Sequence, residues 1–330
     1  MSTRRIALTV LALAAATCGC GRDDPATTTT ARHIDTVQLA LDFTPNTVHA
    51  PLYAAVRTHS DTANGVRLVI RQPGSGPDAL KQVAAGNLDL GVLDIHDLAI
   101  ARERGIDVVA VGALVRKPLA ALVTTSSIKR PRDLEGHDVG VSGLPSDPAF
   151  LNAIIAHDGG KLSRVHQITI GFNAVSGILA GKVDAAPVFW NAEGVALEQR
   201  GVKVHEFRVE DYGAPAYPEV VLITARKTLN RERDTIRRTL LAIRAGMAAV
   251  QEDPTAAVDQ IAHEAQTDDT RLIAAQLAAV APVFDQDLRL DRPVLEQWAD
   301  FDARLGIVKE RPDVGKAFDF SLLGAAGGGS

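Results

Sequence analysis

A strand that leads straight into a helix, near the start of the chain, constrains the fold more than any other stretch. Over residues 37–41, apolar side chains alternate with polar or small ones, which is the period of a buried β-strand. The run ends at Pro45-Asn46, and Asn46 is a good N-cap for the helical spacing that follows. At the junction lie Asp42, Phe43, Asn46 and His49. In an open α/β sheet, small ligands bind at this carboxyl edge.

Strand, turn and helix alternate through the first two thirds of the chain, which predicts a doubly wound α/β fold. The alternation begins again after the polar, turn-rich segment 128–136, so we expect two lobes. A strand at 220–224 is expected to return to the first lobe, and the Ala-rich helical region after residue 226 is expected to complete it. We therefore predict a hinge crossed near Thr124 and Thr224, with residues 33–124 and 225–330 in lobe 1 and residues 125–224 in lobe 2.

The N-terminus has the pattern of a targeting segment. Two arginines precede a short apolar run over residues 6–16, which is too short to span a bilayer. Both cysteines follow this run, so we expect a lipoprotein signal peptide over residues 1–20, with lipid on Cys20 or, alternatively, on Cys18. An ordinary signal peptide with incidental cysteines is the other interpretation. Residues 21–32 predict a flexible tether, and cleavage at Cys20 leaves no cysteine pair for a disulfide.

Composition and motifs exclude several classes of function. A net charge of −5 without a basic stripe argues against a nucleic-acid partner. Neither a nucleophile elbow nor a phosphate-binding loop is present, so we expect no enzyme and no cofactor. Asp94, His96 and Asp97 cluster at a predicted helix start, where successive residues do not share one face; we expect a capping, solvated cluster and no metal. Gly74-Ser75 is expected either to form a tight turn or to present its backbone amides, at a helix start, as hydrogen-bond donors to a ligand.

The segment from Asp42 to Tyr53 resembles the opening motif of the NMT1/THI5-like family. Within that family it is most similar to the solute-binding lipoproteins of ABC importers for pyrimidine precursors of thiamine. The family motif usually reads Asp-Trp-Phe-Pro-Asn-Thr-Asn-His, followed by a leucine and a tyrosine. This chain departs from it with Phe43-Thr44 in place of Trp-Phe. The matching positions are Asp42, Pro45, Asn46, Thr47, His49, Leu52 and Tyr53.

A second resemblance lies in residues 186–194, similar to a family segment in which a tryptophan and a glutamate face the ligand. Here Trp190 precedes Glu193 by three positions rather than adjoining it, and core packing of Trp190 is the alternative. The resemblance implies that a pyrimidine ring stacks on Phe43, Tyr53 or Trp190, while Glu193 and Asp42 accept from its amino group. The full implied ligand site is Asp42, Phe43, Asn46, His49, Tyr53, Gly74, Ser75, Asp94, Ser142, Phe189, Trp190 and Glu193.

The resemblance therefore implies a type II periplasmic binding protein fold in a monomeric, lipid-anchored protein on the extracytoplasmic face of the membrane. Such a protein would hold a thiamine-precursor aminopyrimidine between its lobes and deliver it to an ABC permease and its ATPase. Riboflavin or an alkanesulfonate such as taurine is the alternative ligand. The rival classes are a pyrimidine-modifying enzyme that uses His49 with Asp42 and a surface receptor for a signalling partner.

Overall fold

Two sheets of five strands each carry the fold in the computed structural model, which describes residues 34–74, 78–144 and 146–323. The chain from Ile34 onward forms one compact unit. Cys18, Cys20, the predicted tether and Ser75 lie outside the described residues. The strands are β1 Asp35–Ala40, β2 Val66–Arg71, β3 Leu90–Asp94, β4 Val108–Ala113, β5 Ala120–Thr125, β6 Asp138–Val141, β7 His166–Thr169, β8 Ala185–Phe189, β9 Val204–Arg208 and β10 Val220–Ala225.

Helices cover the sheets, and six of the thirteen α-helices in the described residues follow β10. The α-helices are α1 Ala50–Arg57, α2 Ser60–Ala63, α3 Asp78–Ala85, α4 Ile95–Glu103, α5 Asp147–His157, α6 Ala174–Leu179, α7 Val195–Gln199, α8 Arg226–Arg231, α9 Arg233–Glu252, α10 Pro254–Glu264, α11 Thr270–Val280, α12 Arg292–Leu305 and α13 Val314–Ala317. A 3₁₀ turn at Thr47–His49 precedes α1, and a π-helical turn at Trp190–Gly194 precedes α7. Within the described ranges, no helix combines the length and apolar character needed to cross a membrane.

The first sheet has the strand order β2-β1-β3-β10-β4. Strands β1, β2 and β3 are parallel, whereas β10 runs antiparallel to both β3 and β4. All six residues of β4 and of β10 are buried, as expected for strands covered by helices on both faces. The predicted strand–helix unit at the start of the chain is present as β1, the 3₁₀ turn and α1.

The second sheet has the order β7-β6-β8-β5-β9, with β6 parallel to β7 and β8 and with β5 antiparallel to β8 and β9. The architecture is thus two doubly wound α/β lobes, as predicted, but the lobe boundaries differ. The chain passes to the second sheet before β5 rather than after it, and it returns before β10. The boundary expected at Thr124 is wrong by one strand, because an apolar strand pattern does not reveal which sheet the strand joins. The strand expected at 220–224 does return to the first sheet, as predicted, so the second boundary lies before this strand rather than at Thr224.

Close packing of α1 on α9 fixes the start of the chain against the C-terminal helices. At Gly246 of α9, an added Cβ would lie 2.1 Å from the carbonyl oxygen of Pro51 and 2.7 Å from the amide nitrogen of Ala55. Only glycine therefore allows this approach. Because α1 follows directly on the turn that carries Asn46 and His49, this contact also positions the carboxyl end of β1.

Candidate functional site

A cavity of about 130 Å³ opens between the two sheets, at the carboxyl ends of their parallel strands. The first lobe contributes the segments after β1 and β3, and the second lobe contributes those after β6, β7 and β8. Seven of the twelve predicted ligand residues line it: Asp42, Phe43, Asn46, Asp94, Ser142, Phe189 and Glu193. The structure thus brings the predicted residues of both lobes together around one space.

His49 does not line the cavity but holds Asp42, which does. The side chain of Asn46 accepts from the amide of Val48 at 2.9 Å and caps the 3₁₀ turn. The amide of Asn46 donates to Nδ1 of His49 at 3.3 Å, so Nε2 carries the proton and donates to Oδ1 of Asp42 at 2.8 Å. Because His49 is 1 % exposed and both its nitrogens are engaged, it positions Asp42 rather than acting as a free base.

An aromatic pair crosses the cavity. The ring centroids of Phe43, after β1, and Phe172, after β7, lie 4.1 Å apart with an interplanar angle of 56°. The two rings belong to different lobes, so they come close only when the lobes approach each other. Phe172 was not predicted, because nothing in the local sequence of a loop residue shows which ring it will face.

Tyr53, Gly74 and Trp190 lie outside the residues that line the cavity. Tyr53 is buried in the core of the first lobe. Trp190 is 7 % exposed; its indole donates to the carbonyl of Pro118 at 3.2 Å, and the guanidinium of Arg208 lies 4.4 Å from its ring centroid. The expected stacking of a ligand on Tyr53 or Trp190 is therefore not what this geometry offers. The structure offers Phe43 and Phe172 instead.

The π-helical turn after β8 explains why the side chains of Trp190 and Glu193 lie in different environments. A π-helical turn changes the direction of successive side chains relative to an α-helix, and such turns are frequent at functional sites. Here it places Trp190 in the core and Glu193 in the cavity. Oε2 of Glu193 accepts from the amide of Phe189 at 3.1 Å, and burial raises the pKa of Glu193.

Asp94 and His96 belong to a buried polar network at the start of α4. Asp94 caps the helix by accepting from the amide of His96 at 2.7 Å, as expected. His96 is 3 % exposed, contrary to the expected solvated cluster, and its ring contacts Oδ1 of Asp302 at 2.7 Å and the hydroxyl of Tyr217 at 2.9 Å. Burial disfavours the charged imidazolium, but the adjacent Asp302 outweighs it, and the pKa of His96 rises to about 10.

Asp97 and Glu219 are further carboxyl groups in the cavity. Asp97 is 3 % exposed, and burial, reinforced by Asp94, raises its pKa to about 8. Oε2 of Glu219 accepts from the amides of Leu119 and Ala120 at 2.9 and 3.0 Å. Glu219 directly precedes β10, Leu119 directly precedes β5, and Ala120 is the first residue of β5. These hydrogen bonds therefore connect the two chain segments that cross between the lobes. Burial and Glu219 raise the pKa of Asp94 as well.

Asp94, His96 and Glu219 have possible metal-ligand atoms within 4.8 Å of one another, which is the spacing of a metal site. However, both ring nitrogens of His96 already have hydrogen-bond partners. A metal would have to displace Asp302 or Tyr217 from the imidazole.

Asp147 organises the second-lobe loop that faces these acids. Its carboxylate accepts from the hydroxyl of Ser142 and from the amides of Gly143 and Leu144, the amide contacts being 2.7 and 3.1 Å long. Ser142 therefore lines the cavity as predicted, but its hydroxyl donates to Asp147. Burial raises the pKa of Asp147 despite these hydrogen bonds.

The sequence matches the NMT1/THI5 like family over residues 46–257, which spans most of both sheets. The chain belongs to the NMT1/THI5-like family. The predicted membership is thus confirmed, and the matched region includes the Asn46 cap, α4, the Asp147 loop, Glu193 and Glu219.

Curated relatives in the family differ in what their names describe. The formylaminopyrimidine-binding protein of Halalkalibacterium halodurans is 29% identical over 255 residues, covering 76% of this chain and 75% of the relative. The 4-amino-5-hydroxymethyl-2-methylpyrimidine phosphate synthase of Legionella pneumophila is 22% identical and covers 87% of this chain and 92% of the relative. One relative is thus named as a binding protein and the other as a synthase.

Solved structures confirm the fold. The alkanesulfonate-binding protein SsuA from Xanthomonas axonopodis pv. citri, bound to MOPS, superposes with a TM-score of 0.71 at 16% identity, covering 87% of this chain and 99% of that one. Similarity at this level of identity establishes the architecture alone. The chain has the type II periplasmic binding protein fold, with two lobes around a cleft.

Proposed function

We propose that this chain is an extracytoplasmic solute-binding protein that captures a small aromatic heterocycle bearing an amino group between its two lobes. The most consistent ligand is a pyrimidine precursor of thiamine, such as a hydroxymethyl- or formylamino-pyrimidine. The similarity to a formylaminopyrimidine-binding protein supports this class of ligand. The two-lobed fold with a cleft supports the binding role, because ligands that contact both lobes favour closure.

The observation that carries the proposal is the carboxyl-rich lining of the cavity, in which His96 is the basic side chain among the described residues. Among the described residues that line the cavity, none is a lysine or an arginine. Carboxyl oxygens accept hydrogen bonds from amino groups. The acidic lining residues are Asp42, Asp94, Asp97, Asp147, Glu193 and Glu219.

The same wall argues against the alternative ligands. A sulfonate is an anion that calls for arginine or amide donors, whereas this wall supplies mostly acceptors. Riboflavin is a tricyclic molecule with a long polyol chain, and a cavity of about 130 Å³ suits a single ring better. A pyrimidine ring is flat enough to lie against Phe43 or Phe172, with its amino group toward the acids.

The rival function is enzymatic, because several relatives are named as pyrimidine phosphate synthases. The pair His49 and Asp42 was the predicted source of acid–base chemistry. In this structure His49 has no free nitrogen lone pair, since Nδ1 accepts from Asn46 and Nε2 donates to Asp42. We therefore favour binding without chemistry. Recovery of unchanged pyrimidine, measured by mass spectrometry after incubation with the protein, would support this; a converted product would refute it.

We further propose an ABC permease and its ATPase as partners, a monomeric state, and a lipid anchor on Cys20, with Cys18 as the alternative. These follow from the family resemblance and the N-terminal sequence pattern. Mass spectrometry of the N-terminal peptide from membranes would identify the modified cysteine. Uptake of labelled ligand distinguishes an importer component from a receptor that feeds a signalling partner. If the chain serves an importer, deleting its gene abolishes accumulation of the ligand in the cell; if it is a receptor, accumulation is unchanged.

A thermal-shift panel tests the ligand. The panel contains aminopyrimidines, riboflavin, taurine and longer alkanesulfonates. A ligand present at one hundred times its dissociation constant stabilises the folded state by about 2.7 kcal/mol, which gives a clear shift. A shift with aminopyrimidines alone supports the proposal, whereas a shift with riboflavin or a sulfonate replaces the ligand and leaves the binding role intact. The absence of any shift would contradict the proposed ligand class.

A further inference from the structure

The side chain of Ile170 lines the cavity from the second lobe, and its end lies where Gly140 has no side chain. Gly140 belongs to β6 and also lines the cavity, whereas Ile170 directly follows β7. The amide of Ile170 donates to the carbonyl of Val141 at 2.9 Å, which holds its backbone against the end of β6. A Cβ built on Gly140 would lie 2.3 Å from Cδ1 and 3.0 Å from Cγ1 of Ile170. Ile170 therefore fills a slot that exists because residue 140 is glycine.

Space, not backbone conformation, requires glycine at position 140. The φ of Gly140 is not positive, so alanine can adopt its backbone without strain. Val183, which is buried in the core, lies behind the slot, since one of its methyl groups would be 3.3 Å from the added Cβ. A Cβ added at Gly177 of α6 would be 3.6 Å from Cδ1 of Ile170, so this helix bounds the slot as well. Because protein interiors are close-packed, a side chain at position 140 displaces Ile170 toward the cavity that it lines.

The part of the cavity around Ile170 is apolar. In β6 and in the segment from the end of β7 to the start of α6, the described residues that line the cavity are Gly140, Val141, Ile170, Gly171, Phe172 and Ala174. A polar substituent placed beside these side chains loses its hydrogen bonds to water, whereas an alkyl substituent gains apolar contact. This part of the cavity therefore suits an apolar substituent of the ligand.

We propose that Ile170 determines specificity by size: it allows a methyl group on the ring of the ligand and excludes a longer alkyl group. This inference rests on the proposed function and narrows it. The proposed pyrimidines carry polar groups at positions 4 and 5 and one alkyl group, the 2-methyl, which is the substituent that suits the apolar part of the cavity. An ethyl group in its place would need the space that Cδ1 of Ile170 fills.

Two substitutions should change this limit in opposite directions. Ile170→Val removes Cδ1 and empties the slot at Gly140, so the cavity gains the room of one methyl group. Gly140→Ala puts a methyl group into the slot and moves Ile170 into the cavity, which takes room from the ligand. In the double variant, the alanine methyl group occupies the place that Cδ1 has left, and the original limit returns. One methylene more or less in a hydrophobic pocket changes discrimination about 10- to 200-fold.

Titration calorimetry with three homologous ligands tests the inference. The ligands are 4-amino-5-hydroxymethylpyrimidine with hydrogen, methyl or ethyl at position 2. The wild-type protein should bind the methyl compound at least about tenfold more tightly than the ethyl compound, and Ile170→Val should reduce that preference about tenfold. Gly140→Ala should weaken binding of the methyl compound at least about tenfold more than binding of the hydrogen compound. Gly140→Ala combined with Ile170→Val should restore binding of the methyl compound.

Two control variants make the same chemical changes outside the cavity lining. Ile178→Val removes a methyl group from a buried side chain of α6 in the second lobe. Gly91→Ala adds a Cβ to β3 of the first sheet, 3.0 Å from a methyl group of Val83. Both variants should keep the wild-type preference among the three ligands. A change confined to the variants of Ile170 and Gly140 then reports on the cavity and not on a general loosening of the fold.

The outcomes separate the size limit from the proposed function. Equal wild-type affinity for the methyl and ethyl compounds overturns the limit but leaves pyrimidine binding in place, and so does an unchanged preference in Ile170→Val. Wild-type affinity of Gly140→Ala for the methyl compound, or a double variant that does not regain this affinity, overturns the limit too. If Gly140→Ala does not fold, Ile170→Val with the three ligands still decides. Failure of all three compounds to bind the wild-type protein refutes the proposed function itself, and the size limit with it.

Discussion

The rings of Phe43 and Phe172 lie 4.1 Å apart across the cleft, one at the end of β1 in the first lobe and the other after β7 in the second. Both residues line the cavity. The pair closes the cleft with an apolar contact, and six residues with carboxyl groups also line the cavity. A flat ligand that enters here must displace or share this contact, so the pair sets the orientation of the ring.

Replacing Phe172 by alanine should weaken binding of an aminopyrimidine about tenfold, since an aromatic pair contributes about 0.5–1.5 kcal/mol beyond the area it buries. The free energy of unfolding should change little, because Phe172 is only partly buried. Titration calorimetry and urea unfolding measure the two effects. Phe320→Ala removes a ring of similar exposure that lies outside the cavity lining, and it should leave affinity unchanged. Equal affinity of Phe172→Ala and wild type would rule out a role of this ring in binding.

His49 should affect both stability and affinity, although it does not touch the cavity. In His49→Leu, the amide of Asn46 and the carboxylate of Asp42 lose their partners, which costs about 1–3 kcal/mol of unfolding free energy. Asp42 then loses its fixed orientation, so ligand affinity should fall as well. Asp42→Asn provides the comparison, because its amide can still accept from His49. Unchanged affinity in His49→Leu would show that Asp42 does not contact the ligand.

Much of this arrangement could be predicted from the sequence, because its determinants are local. The strand pattern before Asp42 and the Asn46 cap predict where β1 ends and where the next turn begins, and family resemblance ties that junction to a ligand. Three features depend on distant parts of the chain and were not predicted correctly. Strand β5 joins the second sheet, Trp190 turns into the core, and Asp97 is buried because helices and the second lobe cover it. No local pattern encodes such partners.

Trp190 and Glu193 should have separable effects. Trp190→Ala removes a buried indole and should cost about 3–5 kcal/mol of unfolding free energy. Glu193→Gln keeps the shape of a cavity residue and should lower ligand affinity with little loss of stability. Chemical unfolding and calorimetry on the two variants test this separation. A stable Trp190→Ala protein with greatly weakened binding would instead return Trp190 to the ligand site.

Gly246 should tolerate no side chain. In Gly246→Ala the new methyl group would lie 2.1 Å from the carbonyl oxygen of Pro51, so α1 and α9 must separate. We expect a loss of about 1–3 kcal/mol of unfolding free energy. Ligand affinity should also fall, because α1 follows the turn that positions Asp42. Ala248→Ser, at an exposed position of the same helix, is the control. Wild-type stability of Gly246→Ala would mean that the two helices pack less closely than described.

The stability of the ligand-free protein should depend on pH through Asp97. Burial, with Asp94, raises the pKa of this carboxyl from 3.8 to about 8. Between these values the folded protein holds a proton that the unfolded chain releases, so the unfolding free energy falls as pH rises, by at most about 1.4 kcal/mol per pH unit. Asp97→Asn removes this contribution and should be more stable than wild type at pH 6.5, while the two converge toward pH 4.

Urea unfolding at pH 4.5, 5.5 and 6.5 measures this difference. The range ends at pH 6.5 because His96, with a pKa raised to about 10, stabilises the folded state fully below pH 6.5 and loses that contribution as pH rises further. That second effect is common to both proteins and lies outside the chosen window. Parallel stability curves for wild type and Asp97→Asn would show that Asp97 is ionised in the folded state.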